Sequence, residues 1–346
     1  MALRVGLVGF GLAGRVLHLP LIRAAGMQVE AVVTRQADAL RSVLPQARCC
    51  ASLEELLGIA AIDLVVIASP NHLHVGQATQ ALEAGKHVVV DKPLALSSAE
   101  AGNLGQLAEA RMQKLAVFQN RRWDSDFLTL RSLIGGGKLG EVRLAQLRWD
   151  RFRPEVQPRW REQARFGGGV LYDLGSHLID QALCLFGAPD WLQADVFAQR
   201  AGATVDDGAE LLLAKGVVRI SIGISSISAG DGCRYRVYGT DGHFTKHGLD
   251  VQEQQLRAGM DPTAPDFGAE PQSQWGRYGS GDSATDCAVP PVRGCWVEFY
   301  RKLGESIERG TAVPVAAQEA RDTLRIIEAA LASSRSGQRI ANPLMK

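Results

Sequence analysis

The sequence predicts a two-part α/β chain: a parallel sheet wrapped by helices, followed by a larger, mainly antiparallel open sheet. Three observations predict it. The chain has 346 residues, more than one hydrophobic core usually serves and comfortable for two domains. Residues 1–120 alternate short apolar runs with helical stretches, the pattern of strand–helix–strand units. Beyond residue 120 the runs alternate apolar and polar residues instead, as strands with one buried face do.

In the first part the strand candidates are residues 3–8, 29–33, 64–68, 87–90 and 115–118, all rich in Val, Ile and Leu. Helical segments lie between them at 53–57, 76–84 and 99–110. Strands apolar on both faces fit a parallel sheet covered on both sides. In the second part, 127–134 reads as a helix ended by Gly135-Gly136-Gly137. Strands follow at 141–149, 194–198, 210–213, 217–225 and 234–238, interrupted by one strong helix at 170–186. Residues 257–294, rich in Gly, Pro, Ser and Asp, read as a long loop or short irregular strands, a length that implies a lid or a subunit contact. Helices at 295–308 and 317–334 close the chain. The domains expected are 1–120 and 121–346.

Composition narrows the class. The formal net charge is +1, so no strong field steers the chain to nucleic acid. Residues 1–10 read as a strand and not as a secretory leader. No window reaches the ~18 apolar residues of a membrane span. The six cysteines, Cys49, Cys50, Cys184, Cys233, Cys287 and Cys295, form no CxxC pair; they read as reduced thiols of a cytoplasmic protein, with no metal site.

The first motif is Gly9-Phe10-Gly11-Leu12-Ala13-Gly14. GxGxxG alone is weak, but here it follows an apolar strand and opens a helix, the context of a Rossmann dinucleotide site. Gly9 permits the tight turn, Gly11 lets backbone approach the pyrophosphate, and Gly14 lets helix pack on strand. Free N–H groups of the helix start then face the phosphates. The second strand ends in Thr34-Arg35, where an NAD site usually carries an acid. A hydroxyl and a guanidinium there suit a 2′-phosphate, so NADP is expected, with NAD still possible. Ser69-Pro70-Asn71 follows the strand at 64–68, and the turn is placed against the cofactor together with His74. Ser69 or Asn71 would equally cap the next helix. Neither His72 nor His74 is marked as an acid or base.

Asp91-Lys92-Pro93 comes straight after the strand at 87–90. A lysine at the carboxyl end of a sheet strand points to the ligand crevice, where its ammonium would stabilise a developing alkoxide. Gly167-Gly168-Gly169 precedes the helix at 170–186, and triple glycine permits close approach of backbone to a ligand. On that helix Asp173, Ser176, His177, Asp180 and Gln181 form one polar stripe. Asp173 and His177 are four apart, a carboxylate beside a proton acceptor, the pairing general base catalysis uses. A plain amphipathic helix with its polar side in water accounts for the stripe equally well.

With these residues in hand, the chain resembles the glucose–fructose oxidoreductase / inositol dehydrogenase / MocA family. The resemblance rests on Gly9–Gly14, Ser69-Pro70-Asn71, Asp91-Lys92-Pro93 (the family more often has Glu at the first position) and Asp173-xxx-His177 after Gly167–Gly169, and spans nearly the whole chain. His18-Leu19-Pro20, Asn120 to Phe127 and Phe152-Arg153-Pro154 look like the branch holding NADP-dependent scyllo-inositol dehydrogenases. The resemblance implies that Lys92 binds substrate and cofactor and that His177 is the proton acceptor or donor. It implies that Asp173 orients His177 or binds a substrate hydroxyl, and that Asn120, Arg122, Trp160 and Arg161 contact substrate or nicotinamide. Catalytic roles thus fall on Lys92, His177 and Asp173, with Asp91 beside the cofactor. The expected activity is hydride transfer between NADP(H) and a secondary carbon of a polyol or sugar. A sugar or aldose dehydrogenase, or a dinucleotide sensor on the same fold, are the alternatives. An open sheet of this kind implies a homo-oligomer, a dimer or tetramer, through the C-terminal sheet.

Overall fold

A computed structural model describes residues 2–230, 232–281 and 286–345. The chain divides into two compact units: Met1–Asn120 with Gln252–Phe267 and Cys295–Arg321, and Arg121–Val251 with Gly268–Gly294 and Asp322–Lys346.

The first unit is a six-stranded sheet. Its strands are β1 (Arg4–Val8), β2 (Gln28–Val33), β3 (Arg48–Cys50), β4 (Leu64–Ile67), β5 (His87–Asp91) and β6 (Leu115–Phe118). They run in the order β3-β2-β1-β4-β5-β6 with every neighbouring pair parallel. Helices α1 (Leu19–Ala24), α2 (Ala37–Val43), α3 (Leu53–Leu57), α4 (His74–Glu83) and α5 (Ser98–Ala110) make the crossovers. The strand order reverses between β1 and β4, and there a doubly wound sheet opens a crevice for a ligand. All four residues of β4 are fully buried, which requires cover on both faces. Each such Val, Leu or Ile contributes about 1.5–3 kcal/mol on burial. α5 starts from a capping box, Ser97 accepting from the Glu100 N–H and Glu100 accepting from the Ser97 N–H, worth about 1 kcal/mol.

The expected strands of this unit lie within a residue or two of the observed ones. Short β3 and α2 were not anticipated. The chain also returns to this unit through helices Gln252–Arg257 and Val297–Arg309, the second packing against α1. Phe299 and Tyr300 from that helix meet Phe118 of β6, at ring separations of 5.0 and 5.8 Å.

The second unit begins with α6 (Ser125–Gly135) and carries α7 (Ser176–Phe186). Its nine strands are β7 (Val142–Asp150), β8 (Trp191–Phe197), β9 (Gly208–Lys215), β10 (Val218–Ser225), β11 (Cys233–Gly239), β12 (Gly242–His247), β13 (Arg277–Ser280), β14 (Cys287–Ala288) and β15 (Ile340–Ala341). The order is β14-β13-β12-β11-β7-β10-β9-β8-β15. β7 and β10 pair in parallel and the other neighbours are antiparallel, so the sheet is open and mainly antiparallel, as expected. Alternation is clean on β9, where Leu211 and Leu213 are buried and Glu210 and Leu212 exposed.

The stretch 257–294 is not one loop. It supplies β13 and β14, which extend the sheet beyond β12; residues 282–285 of it lie outside the described residues. β12 was not anticipated because its inward position is taken by a lysine. Lys246 is buried, donates to the carbonyls of Gln274 (2.7 Å) and His247 (3.0 Å), and lies 3.2 Å from Glu270. Burial pushes the Glu270 carboxyl up to about 7 even against that ammonium. Among the described residues no helix is long and apolar enough to cross a membrane.

Candidate active site

In the first unit the GxGxxG turn leaves β1 and runs directly into a helix whose first stretch, Ala13–His18, is wound as a wide π-type turn before α1 continues it. Gly9 sits at φ +98°, a conformation that only glycine adopts without strain. A Cβ on Gly14 would collide with the Gly9 carbonyl, whereas a Cβ on Gly11 would meet nothing among the described residues within 4 Å. The turn is therefore closed by its own packing on one side and open above Gly11, with Leu12 45% exposed beside it. Phe10, in contrast, is buried and belongs to the core. At the end of β2, the Thr34 hydroxyl accepts from the Gln36 N–H at 3.0 Å. Arg35 is exposed, and its guanidinium has no partner among the described residues. An open glycine turn with an unengaged guanidinium at the end of β2 fits a dinucleotide carrying a 2′-phosphate.

The loops after β4 and β5 are tied together. His74, fully buried, places Nδ1 2.8 Å from the Pro93 carbonyl and Nε2 2.9 Å from the Ser69 carbonyl. Burial pulls its pKa down, opposed by those two carbonyls and Asp91. The ring is thus consumed within the protein, and its contribution to the site is to hold two loops. Ser69 Oγ donates to Gln77 at 2.6 Å, so it braces α4, and Asn71 is buried. Asp91 accepts from the Lys92 N–H at 2.8 Å. Behind it, His18 Nε2 lies 3.7 Å from Asp91, and His18 Nδ1 lies 2.6 Å from the Tyr300 hydroxyl. Burial raises the Asp91 carboxyl, but the His18 imidazole facing it, then Lys92 and His74, outweigh that and hold the group below its usual range. Asp91 is therefore an anion set at the base of Lys92. Sequence reasoning missed His18 and Tyr300, because the partner helix lies 282 positions away.

In the second unit the polar stripe is not in water. Ser176, His177, Asp180 and Gln181 are 1%, 5%, 2% and 0% exposed. Asp180 takes the Arg122 guanidinium in a two-pronged bond of 2.6 and 2.8 Å. Gln181 accepts from Arg234 (3.1 Å) and the Tyr235 hydroxyl (2.7 Å) and donates to the Arg121 carbonyl (3.0 Å). Arg122, expected at the ligand, is thus held by a buried carboxylate. The His177 ring stacks on Trp149 of β7, centroids 5.7 Å apart at 29°. Three guanidiniums lie over the same indole, those of Arg121, Arg234 and Arg151 at 4.5, 4.8 and 5.1 Å. Trp149 was not singled out in the sequence; its only signal was an aromatic among arginines at a strand end.

Asp173 stands in a second π-type turn, Leu171–Gly175, that leads into α7. It lies 3.6 Å from Arg161 and 3.9 Å from Arg151. The triple glycine before it is used differently from the expectation. A Cβ on Gly168 would collide with the Arg161 carbonyl, and one on Gly169, at φ +104°, with the Asp206 carboxylate. The backbone approaches protein there, not an open space. Asp206 accepts from the Leu171 N–H at 2.7 Å and so caps the helix start. Burial raises its carboxyl to about 6, against the backbone N–H groups that lower it. Trp160 and Arg161 share a short turn in which Arg161 lies 4.7 Å over the Trp160 ring. That turn is clamped by Glu162, whose carboxylate takes Arg200 at 2.7 Å and Arg159 at 2.9 Å.

A parallel sheet in the order 3-2-1-4-5-6, with an open glycine turn at its switch point, defines a dinucleotide-binding oxidoreductase unit. Residues 3–119 match the oxidoreductase family NAD-binding Rossmann fold, and residues 131–341 match the same family's C-terminal alpha/beta domain. The chain belongs to the Gfo/Idh/MocA family of NAD(P)-dependent oxidoreductases. It is 39% identical to scyllo-inositol 2-dehydrogenase (NADP(+)) IolW of Bacillus subtilis, over 98% of this chain and 95% of that one. It is 36% identical to the oxidoreductase YdgJ of Escherichia coli, over 96% of each. Among solved structures, the yvaA protein of Bacillus subtilis matches at a TM-score of 0.95 and 38% identity over 98% of both chains. An oxidoreductase from Bacillus cereus matches at 0.89 and 28% identity, also over 98% of both.

Proposed function

We propose that the chain moves a hydride between NADP(H) and the alcohol or ketone carbon of a cyclic polyol or sugar, with a scyllo-inositol-type ring favoured. One observation carries the reading: likeness over 98% of the chain to an enzyme named for scyllo-inositol and NADP(+), in a chain whose β2 is followed by Thr34-Arg35 and not by an acid.

The cofactor is held by Gly9–Gly14, Thr34, Arg35, the turn Ser69-Pro70-Asn71 and Asp91-Lys92, and when bound it gives or takes the hydride. In oxidation His177 accepts the hydroxyl proton. Lys92, its charge matched by Asp91, stabilises the oxygen as negative charge develops. Asp173 orients the imidazole or takes a substrate hydroxyl. Asn120, Arg122, Trp160 and Arg161 act as nicotinamide or substrate contacts. Reduction runs the same steps backward. Copies of the chain associate through the open sheet, which sedimentation measures directly.

The test is a panel of inositols and sugars with NADP and with NAD, read as kcat/KM. The expected result is turnover that prefers NADP and an inositol ring. No reduction of either cofactor by any polyol or sugar overturns the proposal.

A further inference from the structure

Arg153 and the arginines around it line a narrow recess beside the helix start at Gly169-Val170. Its volume is about 20 Å³, room for one water-sized group such as a single anion oxygen and not for a ring. Five arginines face it, and they are not equally engaged. Arg200 is locked between Glu162 at 2.7 Å and Asp207 at 3.0 Å, and Arg159 is on Glu162. Arg151 and Arg161 share one carboxylate, Asp173, at 3.9 and 3.6 Å, both too long for a hydrogen bond. Arg153 is exposed, and its guanidinium has no partner among the described residues. Asp206, the third carboxylate of the recess after Glu162 and Asp173, accepts from the Leu171 N–H. The recess thus sets five guanidiniums against three carboxylates, Glu162, Asp173 and Asp206, an excess of positive charge, and among the described residues Arg153 and Arg161 keep guanidinium donors to spare. Two of the guanidiniums are braced over indoles, Arg151 over Trp149 at 5.1 Å and Arg161 over Trp160 at 4.7 Å. Guanidiniums fixed in this way lose little freedom on gripping an oxyanion.

We infer that this recess binds an anionic substituent of the substrate, so that the polyol or sugar turned over carries a carboxylate or a phosphate. The anion takes the unspent guanidinium donors of Arg153 and Arg161, with Arg151 adding charge and the Ser226 side chain at the wall. Asp173 lies one helical turn before His177, so an anion seated here fixes the ring relative to the proton acceptor of the same unit. The inference rests on the assignment of His177 and Lys92 above and refines its substrate class.

The test uses the full chain with NADP and three substrates of one ring type: a neutral polyol or sugar, its carboxylate and its phosphate. One charged substrate is expected to exceed the neutral one at least tenfold in kcat/KM, and which does so separates carboxylate from phosphate. Arg153→Gln and Arg161→Gln each reduce that preference about tenfold, the worth of one charge-assisted bond. Because Arg153 is exposed, its replacement leaves the fold in place. A neutral substrate that equals both charged ones overturns the inference and leaves the hydride-transfer reading standing. If no substrate of any charge is oxidised, that reading falls, and calorimetric titration with inorganic phosphate and acetate decides the recess separately. Binding that both arginine variants abolish upholds it; binding they leave unchanged, or none, overturns it.

Discussion

Both units open a helix with a glycine-rich turn followed by a widened π-type turn, yet the space beside the two turns is used in opposite ways. Among the described residues nothing comes within 4 Å of a Cβ added at Gly11. Against Gly168 and Gly169 the Arg161 carbonyl and the Asp206 carboxylate press so closely that no side chain fits. One turn is a cradle left open for a ligand; the other is a packing joint that seats the Trp160–Glu162 turn on the start of the helix carrying His177. Local sequence announces both in the same letters. What separates them is the occupant of the space, which comes from residues far along the chain.

The proposed reaction takes one chemical group from each unit, Lys92 from the first and His177 from the second, and the sharpest test is to remove either. Lys92→Ala and His177→Ala are each expected to lower turnover by roughly a thousandfold or more while NADPH fluorescence titration still reports binding. Near-normal turnover in either variant ends its assignment. The two turns are separated next. Gly169→Ala adds strain at positive φ and a clash, and should destabilise its unit by about 2–4 kcal/mol in chemical denaturation. Gly11→Ala should change stability by less than about 0.5 kcal/mol and weaken NADPH tenfold or more. Equal loss of stability in both would erase the distinction between cradle and joint.

A smaller effect tests the 2′-phosphate. Arg35→Ala should raise the Kd for NADPH about tenfold without changing that for NADH, as measured by titration with each. The smallest expected effect concerns the joint itself. Asp206 titrates near 6 in the folded chain, above its ordinary value of 3.8, so the native state holds the proton more tightly than the unfolded one. Its contribution is present at low pH and is lost as pH rises from about 4 through 6. The stability of wild type relative to Asp206→Asn should therefore fall between pH 4 and 7, and a difference flat with pH would contradict the burial of this carboxyl.

How much of this was legible in the sequence differs between the units for a physical reason. The first sheet is built of consecutive strands apolar on both faces, so period and composition sufficed, apart from three-residue β3. The glycine turn was legible for the same reason, being local. In the second unit the polar stripe on α7 was visible, but not its fate. Its partners Arg122, Arg234 and Tyr235 lie 53 to 58 positions away, and periodicity along a helix says nothing about what faces it. β12 was hidden because Lys246 points inward, satisfied by carbonyls that no hydropathy pattern records. Trp149, Asp206 and the His18–Tyr300 pair were illegible in the same way: each matters through contacts with distant segments.

His74 has a mechanical consequence. A single imidazole spans from the Ser69 carbonyl to the Pro93 carbonyl, so the rims of two neighbouring strands are riveted and move as one lip. Any load on the turn at 69–71 is delivered at once to the segment bearing Lys92. The backbone that carries Lys92 is thereby tied to its neighbouring loop.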